Sequence, residues 1–283
     1  MNSLKPFIDG LGFGEAPRWH DGKLWFVDFF KGAVLRADES GSVELVATVP
    51  GTPGGLGFLP DGTPLVVSQR EFLVYAIRPD GSLVRHADLS GLARGAANEM
   101  LVDGQGRAYV GHHGFDFFGG APHQPSSLLL VETDGRVREV ADELIFPNGT
   151  ALTPNGKTLI VAESFAKRLT AFDVALDGTL SGRREWAALG DHTPDGICLD
   201  ETGAVWASSP MTGAFARVAE GGIVLDEIRA APGHWAVACV LGGEDRRTLY
   251  CITAETTPQT MPQGISKGFI YTLRVNHAGA GRP

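Results

Sequence analysis

The stretch FPNGTALTPNGKTLIVAES, residues 146–164, contains two Asn-Gly pairs seven residues apart. Asn155-Gly156 lies between two apolar runs, where Asn-Gly is a strong signal for the turn of a β-hairpin. Asn148-Gly149 instead precedes the first apolar run and directly follows a proline. The stretch therefore predicts one hairpin, and it leaves open why a second asparagine stands at the start of the hairpin's first strand.

The same order of apolar run, turn and apolar run recurs along the chain. Six copies align on their turn residues, at steps of 40, 44, 50, 47 and 43 residues. These turn residues are Gly22, Gly62, Gly106, Gly156, Gly203 and Arg246. A second hairpin follows each of the first five copies, so one unit contains four strands. Four-stranded units with this period are typical of propeller blades. We therefore expect an all-β, six-bladed β-propeller with four antiparallel strands per blade.

The sixth unit lacks its last strand. Its segment GFIYTLRVNHAGAG, residues 268–281, begins as a strand and fades after the turn. The N-terminal segment LKPFIDGL, residues 4–11, is the candidate for the missing outer strand, which would close the ring. No segment of ten or more residues has a helical period, and this disfavours an α/β fold. A single domain over residues 1–283 is expected.

Composition narrows the classes of function. With 43% hydrophobic and 20% charged residues the chain is expected to be globular, and its net charge of -9 argues against nucleic acid or an anionic membrane surface as partner. No apolar run reaches the roughly 20 residues of a membrane-spanning helix, and the N-terminus has no signal-peptide pattern. Three cysteines lie in strand-like runs and are expected to be buried thiols, which favours a cytoplasmic location.

Polar residues recur where the first strand of each unit begins. The residues seven or eight positions before the successive turns are Glu15, Gly54 or Gly55, Asn98, Asn148, Asp195 and Ala238. Since first strands line the channel of a propeller, these positions would form a ring at one channel mouth. Any one of them alone would more simply satisfy local backbone groups. Four carboxylates and amides at matched positions favour a site for a hard divalent cation, which prefers oxygen ligands.

These segments resemble the SMP-30/gluconolactonase/luciferin-regenerating-enzyme family over nearly the whole chain. The resemblance rests on GEAPRWHDGKLWFVD, NEMLVDGQGRAYVG, FPNGTALTPNGKTLIVAES, PDGICLDETGAVWAS and ACVLGGEDRRTLY. It implies a six-bladed propeller with one divalent metal in the channel and the hydrolysis of a small-molecule lactone. Related propellers hydrolyse organophosphates.

The resemblance also implies roles for single residues. Glu15, Asn148 and Asp195 match the metal ligands, and Asp195 also matches the favoured general base. Asn98 and Glu99 match an Asn-Asp pair that contacts substrate or, through its asparagine, a metal-bound water, although the second member here is one methylene longer. The expected cofactor is one divalent cation, Ca²⁺ first, with Zn²⁺, Mn²⁺, Mg²⁺ or Fe²⁺ as alternatives.

Two departures from the family pattern concern the substrate. Ala96 stands where an arginine that would help to hold a polyol is often found, with Arg94 close by in sequence. The segment GHHGFDFFGG, residues 111–120, is aromatic, which favours a less polar lactone. The candidate substrate contacts in this segment are His113, Phe115, Asp116, Phe117 and Phe118. Adjacent histidines in a strand point to opposite faces, so His112 and His113 cannot both be ligands.

The expected reaction is the hydrolytic opening of a lactone ring. A cation polarises the carbonyl, and Asp195 is the first candidate to take the proton of the attacking water. Glu15 is the second candidate base, and a third route leaves activation of the water to the cation. The sequence contains no GxSxG and no HExxH motif. Two alternatives stay open: a phosphotriesterase-like hydrolase on the same metal, and a non-catalytic propeller that binds a ligand or a partner protein.

Overall fold

The computed structural model describes residues 3–282, which form six antiparallel sheets. Five sheets each contain four strands that are consecutive in sequence, and one of these five has an additional short strand. The sixth sheet combines three late strands with the first strand of the chain. The first strands of neighbouring sheets contact one another around the whole ring. The predicted six-bladed propeller with four antiparallel strands per blade is therefore confirmed, and the first strand of each blade is the inner one.

The strands are numbered in chain order and grouped by blade. Blade 6 receives β1 (Lys5–Leu11), and blade 1 contains β2 (Gly14–His20), β3 (Lys23–Asp28), β4 (Ala33–Ala37) and β5 (Val43–Thr48). Blade 2 contains β6 (Pro53–Phe58), β7 (Pro64–Ser68), β8 (Leu73–Ile77) and β9 (Leu83–Asp88). Blade 3 contains β10 (Ala97–Val102), β11 (Ala108–His112), β12 (Ser126–Val131) and β13 (Val137–Leu144).

The second half of the chain repeats this arrangement. Blade 4 contains β14 (Pro147–Leu152), β15 (Thr158–Glu163), β16 (Arg168–Val174) and β17 (Leu180–Ala188). Blade 5 contains β18 (Ile197–Asp200), β19 (Val205–Ser209), β20 (Ala214–Val218), β21 (Val224–Arg229) and the added β25 (Gly279–Ala280). Blade 6 is completed by β22 (His234–Gly242), β23 (Thr248–Glu255) and β24 (Lys267–Arg274). Over residues 3–282 the only helix is a 3₁₀ turn at Met261–Gln263, and no helix is long and apolar enough to cross a membrane.

The hydrophobic core is divided among the contacts between blades. Within the described residues, buried apolar side chains form six clusters, each shared by two neighbouring blades. The cluster between blades 5 and 6 contains Cys198, Cys239 and Cys251, all of them buried free thiols as expected. Because every cluster needs both of its blades, the ring is stable only when it is closed.

The N-terminal strand closes the ring. β1 pairs antiparallel with β24 as the outer strand of blade 6, with Ile8 opposite Ile270 and Leu11 opposite Gly268. Ile8 and Leu11 are buried in the cluster between blades 6 and 1. The sequence-based expectation for the missing outer strand is therefore confirmed.

The C-terminal segment was not predicted to be structured beyond β24. Instead, β25 pairs with the inner strand of blade 5, with Ala280 opposite Leu199, and Arg282 forms a bridge with Leu152 of blade 4. These contacts lie at the turn end of the inner strands, opposite the end where those strands begin. The segment fits there because Gly279 has no side chain, and a Cβ would come within 2.7 Å of Leu241.

A β-bulge marks the start of the inner strand in five blades. In blade 4, Pro147 pairs with Glu163 and Thr150 with Val161, so the two residues between them face a single residue of β15. A bulge bends the strand and changes the direction of the side chains beside it. Asn148 lies in this bulge, before the regular part of β14. The bulge turns the Asn148 side chain towards the channel.

The residue after Asn148 is a glycine because the neighbouring blade leaves no room for a side chain there. A Cβ on Gly149 would overlap the carbonyl oxygen of Asp195, and the Gly149 N–H donates a hydrogen bond to that oxygen at 3.0 Å. The same close approach recurs at Gly55, where a Cβ would lie 2.6 Å from that of Met100, and at Gly196, where it would lie 2.7 Å from a Cα of blade 6. Glycine at these positions allows neighbouring inner strands to approach each other.

The closure of the ring can be tested at β1. Ile8→Ala should lower the free energy of unfolding by about 2–4 kcal/mol, because it removes apolar groups buried between two blades. Urea unfolding followed by circular dichroism measures the change. Asp9→Ala, at the exposed neighbouring position, is the control and should change stability by less than about 0.5 kcal/mol. Equal small losses for both variants would show that β1 contributes little to closure.

The close approach of inner strands can be tested at Gly149. Gly149→Ala should destabilise the protein by about 2 kcal/mol or more, because the new methyl group meets backbone atoms that cannot move independently. Gly91→Ala is the control, since a Cβ there meets nothing within 4 Å. Thermal unfolding of the two variants should give a clearly lower midpoint only for Gly149→Ala, and a wild-type midpoint for both would contradict the steric argument.

Candidate functional site

A cavity of about 440 Å³ lies where the inner strands begin. The four polar residues predicted from the repeat all line it, and they are named the polar ring: Glu15, Asn98, Asn148 and Asp195. The two other predicted ring positions, in blades 2 and 6, differ: Gly54 and Gly55 line the cavity, whereas Ala238 is buried in the core. Most of the remaining wall is apolar. It is formed by Phe13, Phe29, Phe117, Phe118, Phe146, Phe165, Met211, Trp235, Met261 and several prolines.

Negative charge is concentrated at the polar ring. Burial, Asp195 and Glu99 raise the pKa of Glu15 well above its ordinary value. Burial and the charge of Glu99 raise the pKa of Asp195 to about 8, although a hydrogen bond from Asn148 acts in the opposite direction. The cause in both cases is a carboxylate that has lost water and faces another carboxylate. A cation bound between them would remove this repulsion.

The oxygen atoms of this group suit a hard divalent cation. One oxygen of the Glu15 carboxylate accepts the N–H of Ala16 at 3.0 Å, and the other has no hydrogen bond within residues 3–282. In the same range, Oδ1 of Asn148 accepts no hydrogen bond, while its amide nitrogen lies 3.4 Å from Oγ of Ser164. Two carboxylates and a free amide oxygen match the ligands that Ca²⁺ or Mg²⁺ prefers. The three predicted ligands therefore fit a cation, and they lie together.

A metal site at the polar ring cannot be built from the side chains of histidine, cysteine, aspartate and glutamate alone. No group of three or more of these side chains in residues 3–282 is arranged to hold a metal ion. The candidate set has only two carboxylates, and its third member is the amide of Asn148. A metal site at the polar ring would therefore depend on that amide.

Hydrogen bonds between blades hold the polar ring in place. Asn98 donates from Nδ2 to the carbonyl of Pro147 at 3.3 Å, which links blade 3 to blade 4. Ser164 donates from Oγ to the carbonyl of Pro194 at 2.6 Å, next to Asp195. Ser164 thus contacts Asn148 and also fixes the backbone before Asp195, so it positions two of the three candidate ligands.

Glu99 lines the cavity, but its carboxylate is already engaged. Oε1 accepts Nη2 of Arg18 at 2.7 Å and the N–H of Met100 at 2.7 Å, and both members of the ion pair are buried. Arg18 also donates to the carbonyls of Pro17 and Met100. The carboxylate of Glu99 therefore already has an arginine partner. Its contact with substrate stays a prediction.

The two adjacent histidines point in different directions, as expected for a strand end. His112 is within 2.9 Å of Oγ of Ser127 and of the carbonyl of Arg94, away from the cavity. His113 lines the cavity and stacks on Phe146, with ring centroids 4.6 Å apart. Burial, and secondarily the neighbouring His112, lowers the pKa of His113 to about 4, so the ring is neutral near pH 7.

Phe115 and Asp116 lie outside the cavity wall. Phe115 packs against Phe117 and His123, at centroid distances of 6.2 and 5.1 Å. Asp116 is exposed, and its carboxylate accepts the N–H of Gly119 at 2.9 Å, so it stabilises the turn formed by residues 116–119. A contact of either residue with substrate therefore has no support from its position, and the aromatic segment reaches the cavity through His113, Phe117 and Phe118 instead.

Of a second set of lining residues, sequence reasoning identified only His113. In blades 1 to 5, the residue directly after the second strand lines the cavity. These residues are Phe29, Gln69, His113, Ser164 and Pro210. The repeat contained the signal, since second strands end on the face where inner strands begin. The long connection at 253–268 also contributes to the wall, since Pro258, Met261 and Pro262 line the cavity.

Comparisons with known proteins agree with this architecture. The family model described as the SMP-30/Gluconolactonase/LRE-like region matches residues 13–255. A 6-deoxy-6-sulfogluconolactonase of Pseudomonas putida is 27% identical over 285 residues, which cover 95% of this chain and 94% of the relative.

Solved structures share the fold at lower identity. A luciferin-regenerating enzyme matches with a TM-score of 0.84 at 18% identity, covering 99% of this chain and 98% of that one. A calcium-binding protein, regucalcin, of Agrobacterium tumefaciens matches with a TM-score of 0.81 at 19% identity, covering 100% and 99%. With the family model matching residues 13–255, these findings show that the chain belongs to the SMP-30/gluconolactonase/LRE family.

Proposed function

We propose that this protein is a metal-dependent lactonase that opens a lactone ring by attack of water at the polar ring. The observation that carries the proposal is the meeting of Glu15, Asn148 and Asp195 at one end of a cavity with mostly apolar walls. The name of the Pseudomonas putida relative, a sulfogluconolactonase, supports the same reaction class.

Glu15, Asn148 and Asp195 would hold one divalent cation. Ca²⁺ is our first choice, because all three donors are oxygen atoms and the regucalcin of similar fold is described as calcium-binding. Zn²⁺, Mn²⁺, Mg²⁺ and Fe²⁺ are alternatives. When bound, the cation supplies Lewis-acid polarisation of the lactone carbonyl and stabilises negative charge that develops on its oxygen.

Asp195 is the proposed general base. It accepts a proton from the attacking water, whose oxygen bonds to the carbonyl carbon. When the bond from that carbon to the ring oxygen breaks, the proton passes to the ring oxygen and the product is a hydroxy acid. The backbone of Asp195 is fixed by its N–H bond to Ser208 at 3.0 Å and by the bond that its carbonyl accepts from Gly149 at 3.0 Å.

The walls support the chemistry by excluding solvent. Phe117, Phe146 and Trp235 are among the side chains that replace water around a bound ester. Charges and dipoles interact more strongly where water is excluded, so hydrogen bonds to the reacting groups gain strength. Asn148 favours the charged form of the Asp195 carboxylate and so lowers its pKa, against the effect of burial.

A phosphotriesterase-like activity on the same site is the second candidate. Its support is that no lysine or arginine lines the cavity in the described part of the chain, which suits an uncharged ester. Parallel assays of lactones and phosphotriesters with each metal separate the two. For a non-catalytic binding propeller, substitutions at Glu15 or Asp195 would leave ligand binding intact, and no ester would be turned over.

A cytoplasmic location belongs to the same proposal. The three cysteines are free and buried, and the thiol groups of Cys198 and Cys239 lie 4.0 Å apart without a disulfide. Reduced thiols of this kind are maintained in a reducing compartment.

The roles of ligand and base can be separated by two substitutions. Asp195→Asn keeps the shape and an oxygen ligand but removes a charge and the base, so turnover should fall about 10²–10⁴-fold even at saturating metal. Asn148→Ala spares the base, so it should weaken metal binding and recover part of its activity at high metal. Turnover and bound metal are measured separately across a metal titration.

The control for these substitutions is Asn155→Ala. Asn155 lies in the turn of the same blade, where its side chain accepts the N–H of Lys157 at 3.0 Å, far from the polar ring. This variant should keep wild-type metal affinity and turnover. Full rescue of Asp195→Asn by metal would mean that Asp195 is only a ligand, and wild-type behaviour of both variants would refute the proposed site.

Removal of the metal should abolish turnover and preserve the fold. The reason is that the six apolar clusters between blades supply the core, whereas the cation contacts only side chains at one channel mouth. After treatment with a chelator, far-UV circular dichroism should stay that of a β-protein, and Ca²⁺ should restore activity. Loss of the β-spectrum would show that the cation holds the ring together.

A further inference from the structure

One side of the cavity is a continuous set of aromatic rings. We name it the aromatic wall, and it consists of His113, Phe117, Phe118, Phe146 and Phe165. Phe146 lies at its centre, stacked on Phe165 with centroids 4.5 Å apart and on His113 at 4.6 Å, and Phe117 meets it edge-on at 5.2 Å. Phe165 is 48% exposed although it is large and apolar. Exposed apolar surface gathered in a concave site is typical of ligand binding.

Hydrogen-bonding capacity along the aromatic wall is confined to His113. Nδ1 of His113 is buried without a partner, and neither ring nitrogen forms a hydrogen bond within residues 3–282. The other four members of the wall are phenylalanines. A ligand group with several hydroxyls would therefore lose its bonds to water on this side and regain few of them, which is unfavourable.

The polar side of the cavity, to which Gln69 and Thr193 also belong, compensates for this only in part. Nδ2 of Asn98 is bonded to the Pro147 carbonyl, and Ser164 donates to the carbonyl of Pro194. The carboxylate of Glu99 is bonded to Arg18 and to a backbone N–H. These groups join one blade to the next, so they are only partly available to a substrate.

Cationic partners for a ligand are also missing. No arginine or lysine lines the cavity among residues 3–282. Arg94, the arginine nearest in sequence to the position that would hold a polyol, is exposed, and its carbonyl contacts His112. The exposed Arg70 places its guanidinium over Phe118, 5.6 Å from the ring centroid, but it does not line the cavity. A polyol or an anionic substituent would therefore find no guanidinium along the described cavity wall.

We infer that the substrate of the proposed lactonase is a lactone with an apolar substituent, an aromatic ring above all, which packs against the aromatic wall while the ester group lies at the polar ring. The inference rests on the proposed function, and it names the substrate class of the same site. Aromatic rings pair favourably with stacked and edge-on neighbours, and Phe165, which stacks on the buried Phe146 and is itself 48% exposed, offers such a surface to a ligand.

The substrate test uses three lactones with the same six-membered ring. They are δ-valerolactone, its δ-phenyl derivative and D-glucono-1,5-lactone, each assayed with the Ca²⁺-loaded protein by titration of the acid released. We expect kcat/KM for the phenyl lactone to be at least about tenfold higher than for either of the others, because burial of a phenyl ring adds binding in the transition state. A higher value for gluconolactone would overturn the inference and leave the lactonase proposal standing.

A variant of the aromatic wall links this preference to the structure. Phe165→Ser removes a ring that is half exposed, so the fold should tolerate it, and it should reduce the preference for the phenyl lactone about three- to tenfold. The value for δ-valerolactone, which has no phenyl ring, should fall by a smaller factor than the value for the phenyl lactone. Leu176→Ser is the control, since Leu176 is a fully exposed apolar residue in the turn before β17 of blade 4, and it should change neither value. An unchanged preference in Phe165→Ser would contradict the role of the wall.

A binding measurement separates this inference from the proposed reaction. The lactam that corresponds to the phenyl lactone is much less reactive, and its affinity is measured by titration calorimetry with and without Ca²⁺. If no lactone is turned over but the lactam binds, and binds about three- to tenfold more weakly to Phe165→Ser, the reaction is wrong and the ligand class is right. If the lactam does not bind, or binds equally to both proteins, the ligand class is wrong whatever is hydrolysed.

Discussion

The close approach of neighbouring inner strands determines the position of every group at the channel mouth. Gly149 donates its N–H to the carbonyl of Asp195, and Gly196 donates to the carbonyl of Val237, so adjacent blades are joined backbone to backbone. Side chains at Asn98 and Ser164 extend these links. The distance between the candidate ligands is therefore a property of the whole ring, and anything that loosens the closure at β1 also loosens the site.

Charge at the centre is balanced in two different ways. Glu99 has a permanent partner in Arg18, and this buried pair cannot lose one member without leaving the other charge uncompensated. Within residues 3–282, Glu15 and Asp195 form no ion pair with an arginine, and burial together with neighbouring carboxylates, Glu99 in both cases, raises their pKa values. The protein thus neutralises one carboxylate itself and leaves two to be neutralised by whatever binds.

Sequence patterns predicted the blades and the polar ring because both follow the repeat. Asn148 and Asp195 stand eight residues before their turns, and the number of residues in a hairpin fixes which end of the channel they reach. The bulge that turns Asn148 inward was not visible in the sequence, since it depends on the pairing with β15. The partner of Glu99 was missed because Arg18 comes from a blade 81 residues away, and only the closed ring brings them together.

Other features depend on a single loop or end of the chain and have no repeated counterpart. Phe115 and Phe117 are two residues apart in one aromatic segment, yet only Phe117 reaches the cavity, because the turn at Asp116 reverses the chain between them. The pairing of β25 with blade 5 was also missed, since two residues in a Gly-Ala context carry no strand signal. Such details follow from three-dimensional packing and not from the period of the sequence.

The C-terminal segment gives the channel two unlike ends. Residues 278–282 hydrogen-bond to blades 4, 5 and 6 at the turn end, and the Arg282 charge is near enough to His20 of blade 1 to help lower its pKa. With the chain crossing this end, the two mouths of the channel differ, and the cavity lies at the mouth opposite the C-terminal segment. In the proposed function, ester and hydroxy acid would both use that mouth, so the product would compete with the next ester for the same opening.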